Sequence, residues 1–333
     1  MRDLDAGSGR EILARRWGLA RHPDQALDGA MPAWIPITIF AAFMQNLRFV
    51  LQRHLKVTEL STGGATWVRF AYSAPLVAVL AWGYLTLSGQ ALPGACARFW
   101  VFVVAGGLAQ IGGTMCVVAL FARRNFAVGI TLKKTEVMLT ALAGFVILGE
   151  TVSAYVLLAI AVGFVGVVIL SDPPEQAAAL PLQARLFNAA SGYGLASGVL
   201  FGCSAVGYRG ASLALEGGDV FLRATMTLAA ATVVQTLALG LWLAWRERGE
   251  IGRALASWRV ASLVGLTSML GSLGWFTAFT LQSAAYVKAL GQIELLFTFL
   301  VSAFWLKERS SPREIAGIGL IVGSLLLIVV GSL

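Results

Sequence analysis

Ten continuous apolar segments follow one another after residue 33, and each is long enough to cross a lipid bilayer as a helix. Charged residues make up 13% of the chain, about half of the roughly 25% that is usual in soluble domains. The strands of a membrane β-barrel would alternate apolar and polar residues, whereas these segments are apolar throughout. We therefore predict an all-α integral membrane protein with ten transmembrane helices. The predicted spans are 34–52, 64–87, 99–121, 126–148, 153–171, 191–209, 220–245, 259–281, 286–306 and 314–332.

An internal repeat divides the ten spans into two sets of five. When the chain is shifted by 158 residues, the segment 121–170 aligns without gaps on the segment 279–328. The shift places Glu136 on Glu294, and a second pair of glutamates also coincides, although acids are rare in these regions. Since five is an odd number, the second set must enter the bilayer from the opposite side. Two inverted five-helix repeats place a binding site near the bilayer midplane, where rocking between two arrangements gives alternating access.

Two polar segments flank the repeats. Residues 1–33 contain five arginines and an equal number of acids, and we interpret them as a polar, disordered tail or as a short amphipathic helix on the membrane surface. Met31 is an alternative start, because the membrane pattern begins directly after it. The first repeat covers 34–171 and the second covers 191–333. Residues 172–190 form the linker between them.

Two short motifs and two arginines carry a family resemblance. Leu148-Gly149-Glu150-Thr151 and Leu306-Lys307-Glu308-Arg309 each precede a glycine-bearing span, and Arg69 and Arg223 lie early in the second span of each half. These features resemble the EamA-like domain of the drug/metabolite transporter superfamily, and the resemblance occurs twice. It implies a multi-pass secondary carrier of the plasma (inner) membrane that exports amino acids, metabolites or toxic compounds. It also implies that helices one, three and four of each half line a central cavity.

The charge of the loops and the resemblance imply opposite orientations. The net charge is +8, and the basic residues lie in loops and at helix ends, where they meet anionic headgroups. Basic loops favour the cytoplasmic side, and their distribution here favours termini outside the cell. The resemblance instead implies that both termini are cytoplasmic.

Polar side chains inside the spans identify the candidate binding site. A charge at the centre of a span costs about 2.5–3.5 kcal/mol on insertion scales, so such residues need a partner or a water-filled cavity. Lys133 and Glu136 are three residues apart and share one helix face. They form either a structural ion pair or part of a substrate or proton site. Trp275 lies deep in its span and either packs or lines the cavity. The candidate substrate-binding residues are Gln45, Asn46, Gln110, Lys133, Lys134, Glu136, Tyr208, Trp275, Lys288, Gln292 and Glu294.

Four further polar residues and two glutamates receive specific roles. Glu294 and Glu136 are candidates for proton coupling, because burial raises the pKa of a carboxylate that no lysine or arginine holds ionised. Glu294 is the better candidate, since Glu136 has lysines beside it in the sequence. Many members of the resembled family have proline in the fourth helix, where this chain has the two glutamates. The residues interpreted as structural are Arg69 and Arg223, which tie helix ends to carbonyls or acids, and Glu150 and Glu308, which cap the following helices.

The function predicted from these residues is export of a small metabolite such as an amino acid. Cations outnumber acids in the spans, which favours a carboxylate-bearing solute. Efflux of cationic drug-like compounds is one alternative, and a membrane-embedded enzyme or a non-transport membrane protein is another. The sequence has no nucleophile–base, metal or phosphate-binding constellation, so we expect neither an enzyme nor a cofactor nor ATP-driven transport. The expected partners of this monomer are a small-molecule substrate and membrane lipid, with no nucleic acid.

Overall fold

The structure, a computed structural model, describes residues 31–120, 133–170, 189–300 and 312–331. Most of the predicted N-terminal tail, the first residues of the fourth predicted span, most of the linker and Glu308 lie outside the described residues. What was expected of them stays a prediction.

Helices make up almost all of the described chain, as expected for an all-α membrane protein. They are α1 (Trp34–Thr58), α2 (Thr62–Ala71), α3 (Ser73–Ser88), α4 (Ala97–Leu120), α5 (Glu136–Ala143), α6 (Ala154–Leu170), α7 (Ala189–Ala214), α8 (Val220–Arg246), α9 (Glu250–Ala256), α10 (Trp258–Leu281), α11 (Ala284–Leu290), α12 (Glu294–Leu300) and α13 (Pro312–Val330). A π-helical segment, Gly144–Leu148, continues α5, and a 3₁₀ turn, Gly291–Ile293, separates α11 from α12.

Six helices within the described ranges are long and apolar enough to cross a membrane. They are Trp34–Val57, Thr62–Ser88, Ala97–Leu120, Ala189–Ala214, Val220–Arg246 and Trp258–Leu281. Their outer faces carry large apolar side chains, such as Val79, Trp82 and Leu241, which are at least 70% exposed. Apolar surface of this extent suits a lipid environment. The chain is thus a multi-pass membrane protein, and the number of ten spans stays a prediction.

Two of the predicted spans have other bounds in the structure. α1 runs six residues beyond residue 52, and two of its buried polar residues are paired: Arg48 donates to Gln52 at 2.5 Å, and Gln52 donates to the carbonyl of Ala65 at 2.8 Å. The second span is bent at Tyr72, since Pro75 lacks an N–H and its ring crowds the carbonyl four residues before it.

One short helix and two short strands lie outside the predicted elements. The segment between the seventh and eighth predicted spans, taken as a loop, contains the short helix α9. Two strands of two residues each also form: β1 (Gly94–Ala95), between α3 and α4, and β2 (Leu215–Glu216), directly after α7. They pair with each other in antiparallel orientation. The all-α prediction is therefore slightly incomplete.

The closest helix pairs are α4 with α7, α1 with α10, and α6 with α13, while α8 packs on α2 and α3. Small residues make these approaches possible. A Cβ added to Gly207 would lie 3.0 Å from the Cα of Gly106, and one added to Gly274 would lie 2.9 Å from the Cβ of Ala41. Close contact through small residues is the usual way in which membrane helices pack.

The starts of α2 and α8 are each capped by a side chain that also bonds to the other span of the pair, at opposite ends of the bundle. Ser61 caps α2 by accepting from the N–H of Gly64 at 3.0 Å, and it donates to Glu247 and Glu250 beyond the end of α8. Asp219 caps α8 by accepting from the N–H of Leu222 at 2.8 Å.

The Asp219 carboxylate also accepts from Tyr84 at 2.6 Å and from Gln90 at 2.7 Å, both near the end of α3. The two cap residues, Ser61 and Asp219, are 158 residues apart. This spacing equals the 158-residue shift, whereas Arg69 and Arg223 in the same two spans are 154 residues apart.

Candidate functional site

Two interrupted helices bring the acidic candidates into the interior. The chain turns at Lys134 and Thr135, and α5 begins at Glu136. In the same way a 3₁₀ turn precedes α12, which begins at Glu294. A local turn thus interrupts the regular α-helix within each of the predicted spans 126–148 and 286–306, although Thr135, Gly291 and Glu294 keep right-handed helical backbone angles. The two interruptions coincide under the 158-residue shift. Each carboxylate lies in the first turn of a helix, where the helix dipole favours negative charge.

The first carboxylate, Glu136, is held by two lysines. Lys133 Nζ lies 3.2 Å from its Oε2, and Lys288 Nζ lies 2.5 Å from its Oε1. All three side chains are at most 12% exposed. The expected contact between Lys133 and Glu136 is present, and Lys288 joins it from the other half of the chain.

The second carboxylate, Glu294, forms an ion pair with Lys134. Gln45 Nε2 donates to its Oε2 at 2.9 Å, and Asn46 Nδ2 donates to its backbone carbonyl at 3.0 Å. Glu294 was ranked above Glu136 as a proton carrier because no lysine neighbours it in the sequence. The structure removes that distinction, since each carboxylate contacts a lysine.

Two buried arginines add positive charge with neutral partners. Arg48 donates to the amide oxygen of Gln52, and Arg69 Nη1 donates to the hydroxyl of Thr114 at 2.9 Å. Both are at most 4% exposed, and Arg48 lies within electrostatic range of Arg69 and Glu294. Within the described ranges, this interior region therefore contains five cations against two carboxylates. They are Arg48, Arg69, Lys133, Lys134 and Lys288 against Glu136 and Glu294.

A small cavity lies beside this charged cluster. Five of the predicted binding residues line it: Gln45, Gln110, Tyr208, Trp275 and Lys288. The cavity leaves about 20 Å³ for the centre of a water molecule, which is enough for one or two waters and too little for an amino acid.

Aromatic residues and one arginine complete the cavity wall. Phe201, Phe276 and Phe279 supply its apolar part, and Phe279 stacks on Trp275 at 5.9 Å between ring centroids. Arg69, interpreted from the sequence as structural, also lines the cavity. Its guanidinium binds a hydroxyl rather than the carbonyls or acids that were expected.

One residue of this region was missed by the sequence analysis. Gln235 Nε2 donates to Gln110 Oε1 at 2.8 Å and to the Tyr208 hydroxyl at 2.9 Å, and Tyr208 in turn donates to Gln110 at 3.0 Å. Gln235 is 1% exposed. A glutamine in the middle of an apolar span was the signal that could have identified it.

Gln292 is not part of the cavity wall described above. It lies with Lys134 in a second small cavity beside α6 and α13. Its Oε1 has no hydrogen-bond partner among the described residues.

The residues interpreted as structural make contacts at helix ends. Arg223 Nε donates to the carbonyl of Ser212 at 2.9 Å, as expected of a residue that ties a helix end. Glu150 forms an ion pair with Arg209, and the cap of α6 is instead Ser153, whose Oγ accepts from the N–H of Val156 at 3.3 Å. The expected capping role of Glu150 is thus replaced by a link between helices.

Comparisons with known proteins agree with this architecture. Residues 191–330 match the model of the EamA-like transporter family. A solved structure described only as "Crystal structure of protein" is 14% identical to the chain with a TM-score of 0.59, and the match covers 90% of this chain and 98% of that one. At this identity the likeness concerns the fold alone. No curated protein matches the chain.

Proposed function

Because residues 191–330 belong to the EamA-like transporter family, we propose that the chain is a secondary-active transporter of the inner (plasma) membrane that exports a small carboxylate-bearing metabolite, such as an amino acid, by alternating access. The observation that carries this proposal is the charged interior. Among the residues that the structure describes, five cations face two carboxylates around two interrupted helices, beside a cavity. In transporters, interrupted helices typically form the binding site near the bilayer midplane.

The proposal includes ten spans in two inverted repeats. Helix pairing supports it, because exchange of the two halves would convert the α4–α7 pair into the α10–α1 pair and leave the α6–α13 pair unchanged. The reciprocal caps at Ser61 and Asp219, which lie at opposite ends of the bundle, follow the same exchange. A repeat that is inverted in the membrane provides two equivalent arrangements for alternating access.

An anionic solute fits the charges better than a cationic one. An isolated cation inside a membrane protein is costly, and a carboxylate from the solute would compensate part of the excess positive charge. Efflux of cationic compounds would need an unpaired carboxylate in the cavity. Both interior carboxylates, Glu136 and Glu294, instead contact lysines.

The test is counterflow in liposomes that contain the purified protein. We expect saturable uptake of a labelled amino acid against an excess of the same unlabelled solute inside, and none in protein-free liposomes. A broad panel of amino acids and other small carboxylates that yields no counterflow would contradict the transporter proposal.

Proton coupling through Glu294 or Glu136 is a separate part of the proposal. Coupling requires the carboxylate to lose its lysine during the cycle, since Lys134 holds Glu294, while Lys133 and Lys288 hold Glu136. Substituting Glu294→Gln should remove the dependence of counterflow on pH. If the pH profile of counterflow is unchanged both in this variant and in Glu136→Gln, neither carboxylate is the proton site, and this part of the proposal is wrong.

A further inference from the structure

Lys288 belongs to both the ion-pair cluster and the cavity. Its Nζ lies 2.5 Å from Oε1 of Glu136 and 4.8 Å from the centroid of the Trp275 ring, and the residue lines the cavity wall. Lys133 and Lys134 are not part of this wall. Lys288 is thus the lysine of the cluster that a solute in the cavity can reach directly.

A second observation also points to an anionic ligand. Trp275 is 92% buried, with 8% of its surface exposed, and its Nε1 has no hydrogen-bond partner in the described part of the chain. A buried N–H without an acceptor is costly, and this one belongs to a residue of the same cavity wall. Arg69 supplies a further donor there. The wall therefore combines an ammonium, a guanidinium and an unsatisfied indole N–H.

We propose that Lys288 binds the carboxylate of the solute, and that Glu136 takes the place of that carboxylate when the site is empty. On loading, the solute replaces Glu136 at Lys288, while Lys133 retains Glu136 through its other oxygen. The indole N–H of Trp275 donates to the incoming carboxylate. This inference rests on the proposed function and specifies the residue that recognises the solute.

The remaining wall residues are partly polar and partly apolar, and the apolar ones favour one class of solute. Phe201, Phe276 and Phe279 provide apolar surface around the charged end, and apolar area that is removed from water stabilises binding. The solute is thus a small monocarboxylate with an apolar body, such as an apolar amino acid or its keto acid.

The repeat also indicates that this anion site has no copy at the corresponding position of the first half. Under the 158-residue shift, the position of Lys288 in the first half is Ile130. The lysine that meets Glu294 in turn comes from position 134, where the second half has Gln292. A single asymmetric site is what a carrier of one small solute per cycle requires.

The experiment measures binding to the purified, full-length protein by thermal stabilisation and by titration calorimetry. The probes are L-leucine, L-phenylalanine and 4-methyl-2-oxopentanoate, each beside its methyl ester. We expect at least one acid to bind and its ester to bind at least tenfold more weakly, because the ester has no carboxylate for Lys288. No binding of any of the three acids, or equal binding of acid and ester, would overturn the inference.

The variants give effects of opposite sign. Lys288→Gln should weaken binding of the acid at least tenfold, and Lys288→Arg, which keeps the charge, should recover part of it. Glu136→Gln should strengthen binding several-fold, because the competing internal carboxylate is removed. If Glu136 and Lys288 acted only as a structural pair, both substitutions would weaken binding, and that result would overturn the inference. Arg246→Gln, on the exposed end of α8, is the control for loss of a cation.

Transport and recognition are separated by measuring counterflow of the same probes. If the acids bind in a way that depends on Lys288 but show no counterflow, the result would contradict the proposed function and support the anion site. Counterflow that shows no preference for solutes with a free carboxylate would support the proposed transport function and contradict the anion site at Lys288.

Discussion

Gly291 and Trp275 illustrate how one residue shapes the cavity. A Cβ added at Gly291 would lie 2.6 Å from the outer edge of the Trp275 ring. The first half has Lys133 at the corresponding repeat position, and such a side chain would occupy the place of the indole. Because residue 291 has no side chain, the Trp275 ring can lie against the 3₁₀ turn Gly291–Ile293.

Substituting Gly291→Ala tests this contact. The added methyl group forces the ring to move, and overpacking of this kind typically costs about 1–3 kcal/mol. We expect a lower melting temperature in detergent and weaker counterflow, and we expect Trp275→Phe in the same protein to restore part of the melting temperature but not the counterflow, because phenylalanine lacks the indole N–H. The control is Gly319→Ala, where no described atom lies within 4 Å of the added Cβ. Equal behaviour of the two alanine variants would contradict the prediction.

Single residues of the site were predictable where their burial in a membrane is costly. That cost identified Lys133, Glu136 and Lys288, which do form one cluster. The place of Arg69 in the cavity wall and the partners of Gln235 were not predictable. Both depend on how helices rotate about their axes when they pack, and the sequence pattern of a uniformly apolar span contains little information about that rotation.

At the scale of helices, the two interruptions had no signal in the sequence. Neither 126–148 nor 286–306 contains a proline, which is the strongest sign of a helix break. The breaks occur where charged side chains meet across the halves, so they follow from tertiary contacts. The lengths of the uninterrupted spans were predicted better, because apolar composition alone sets them.

Asp219 provides a test at the start of α8. Partial burial opposes its ionisation, but hydrogen bonds from Tyr84, the N–H of Leu222 and Gln90 outweigh it, so the pKa of Asp219 is lowered. A lowered pKa means that the carboxylate stabilises the fold fully above its unfolded value, about 3.9, and that this stabilisation is lost as pH falls through the folded value.

Two substitutions at Asp219 test this pH dependence of stability. Asp219→Ala should lose the cap and about 1 kcal/mol of stability at pH 7. Asp219→Asn keeps an acceptor but no charge, so its difference from the wild type should shrink as pH falls below about 4. Thermal unfolding in detergent at pH 7, 5 and 3.5 measures both effects. A difference between Asn and Asp that is constant with pH would contradict the assignment.

At the scale of the whole molecule, Arg209 joins three segments of the chain. Its Nε pairs with Glu150, and its Nη1 donates to the carbonyls of Phe279 and Gln282 at 2.6 and 2.7 Å. One guanidinium thus links α7 to the end of α10 and to the segment before α6. Lysine cannot reproduce this fork of donors.

Removal of the link should open the cavity from that end. In a protein whose three cysteines are replaced by alanine, a cysteine at Ser272, which lines the cavity, reports access to a water-soluble thiol reagent. We expect Arg209→Gln to increase its labelling rate several-fold and Arg209→Lys to do so less, because part of the charge contact remains. The same rate in Arg209→Gln as in the parent protein would show that this contact does not close the cavity.

The ion pair between Lys288 and Glu136 also bears on the return of the unloaded carrier. A lysine without a counter-charge would make the unloaded protein slow to change its orientation, because an uncompensated charge is costly inside a membrane. The carrier would then be restricted to exchanging one solute molecule for another. With its own counter-ion in place, the unloaded protein can turn back without cargo. We therefore expect net extrusion, in which each cycle removes one solute molecule from the cell.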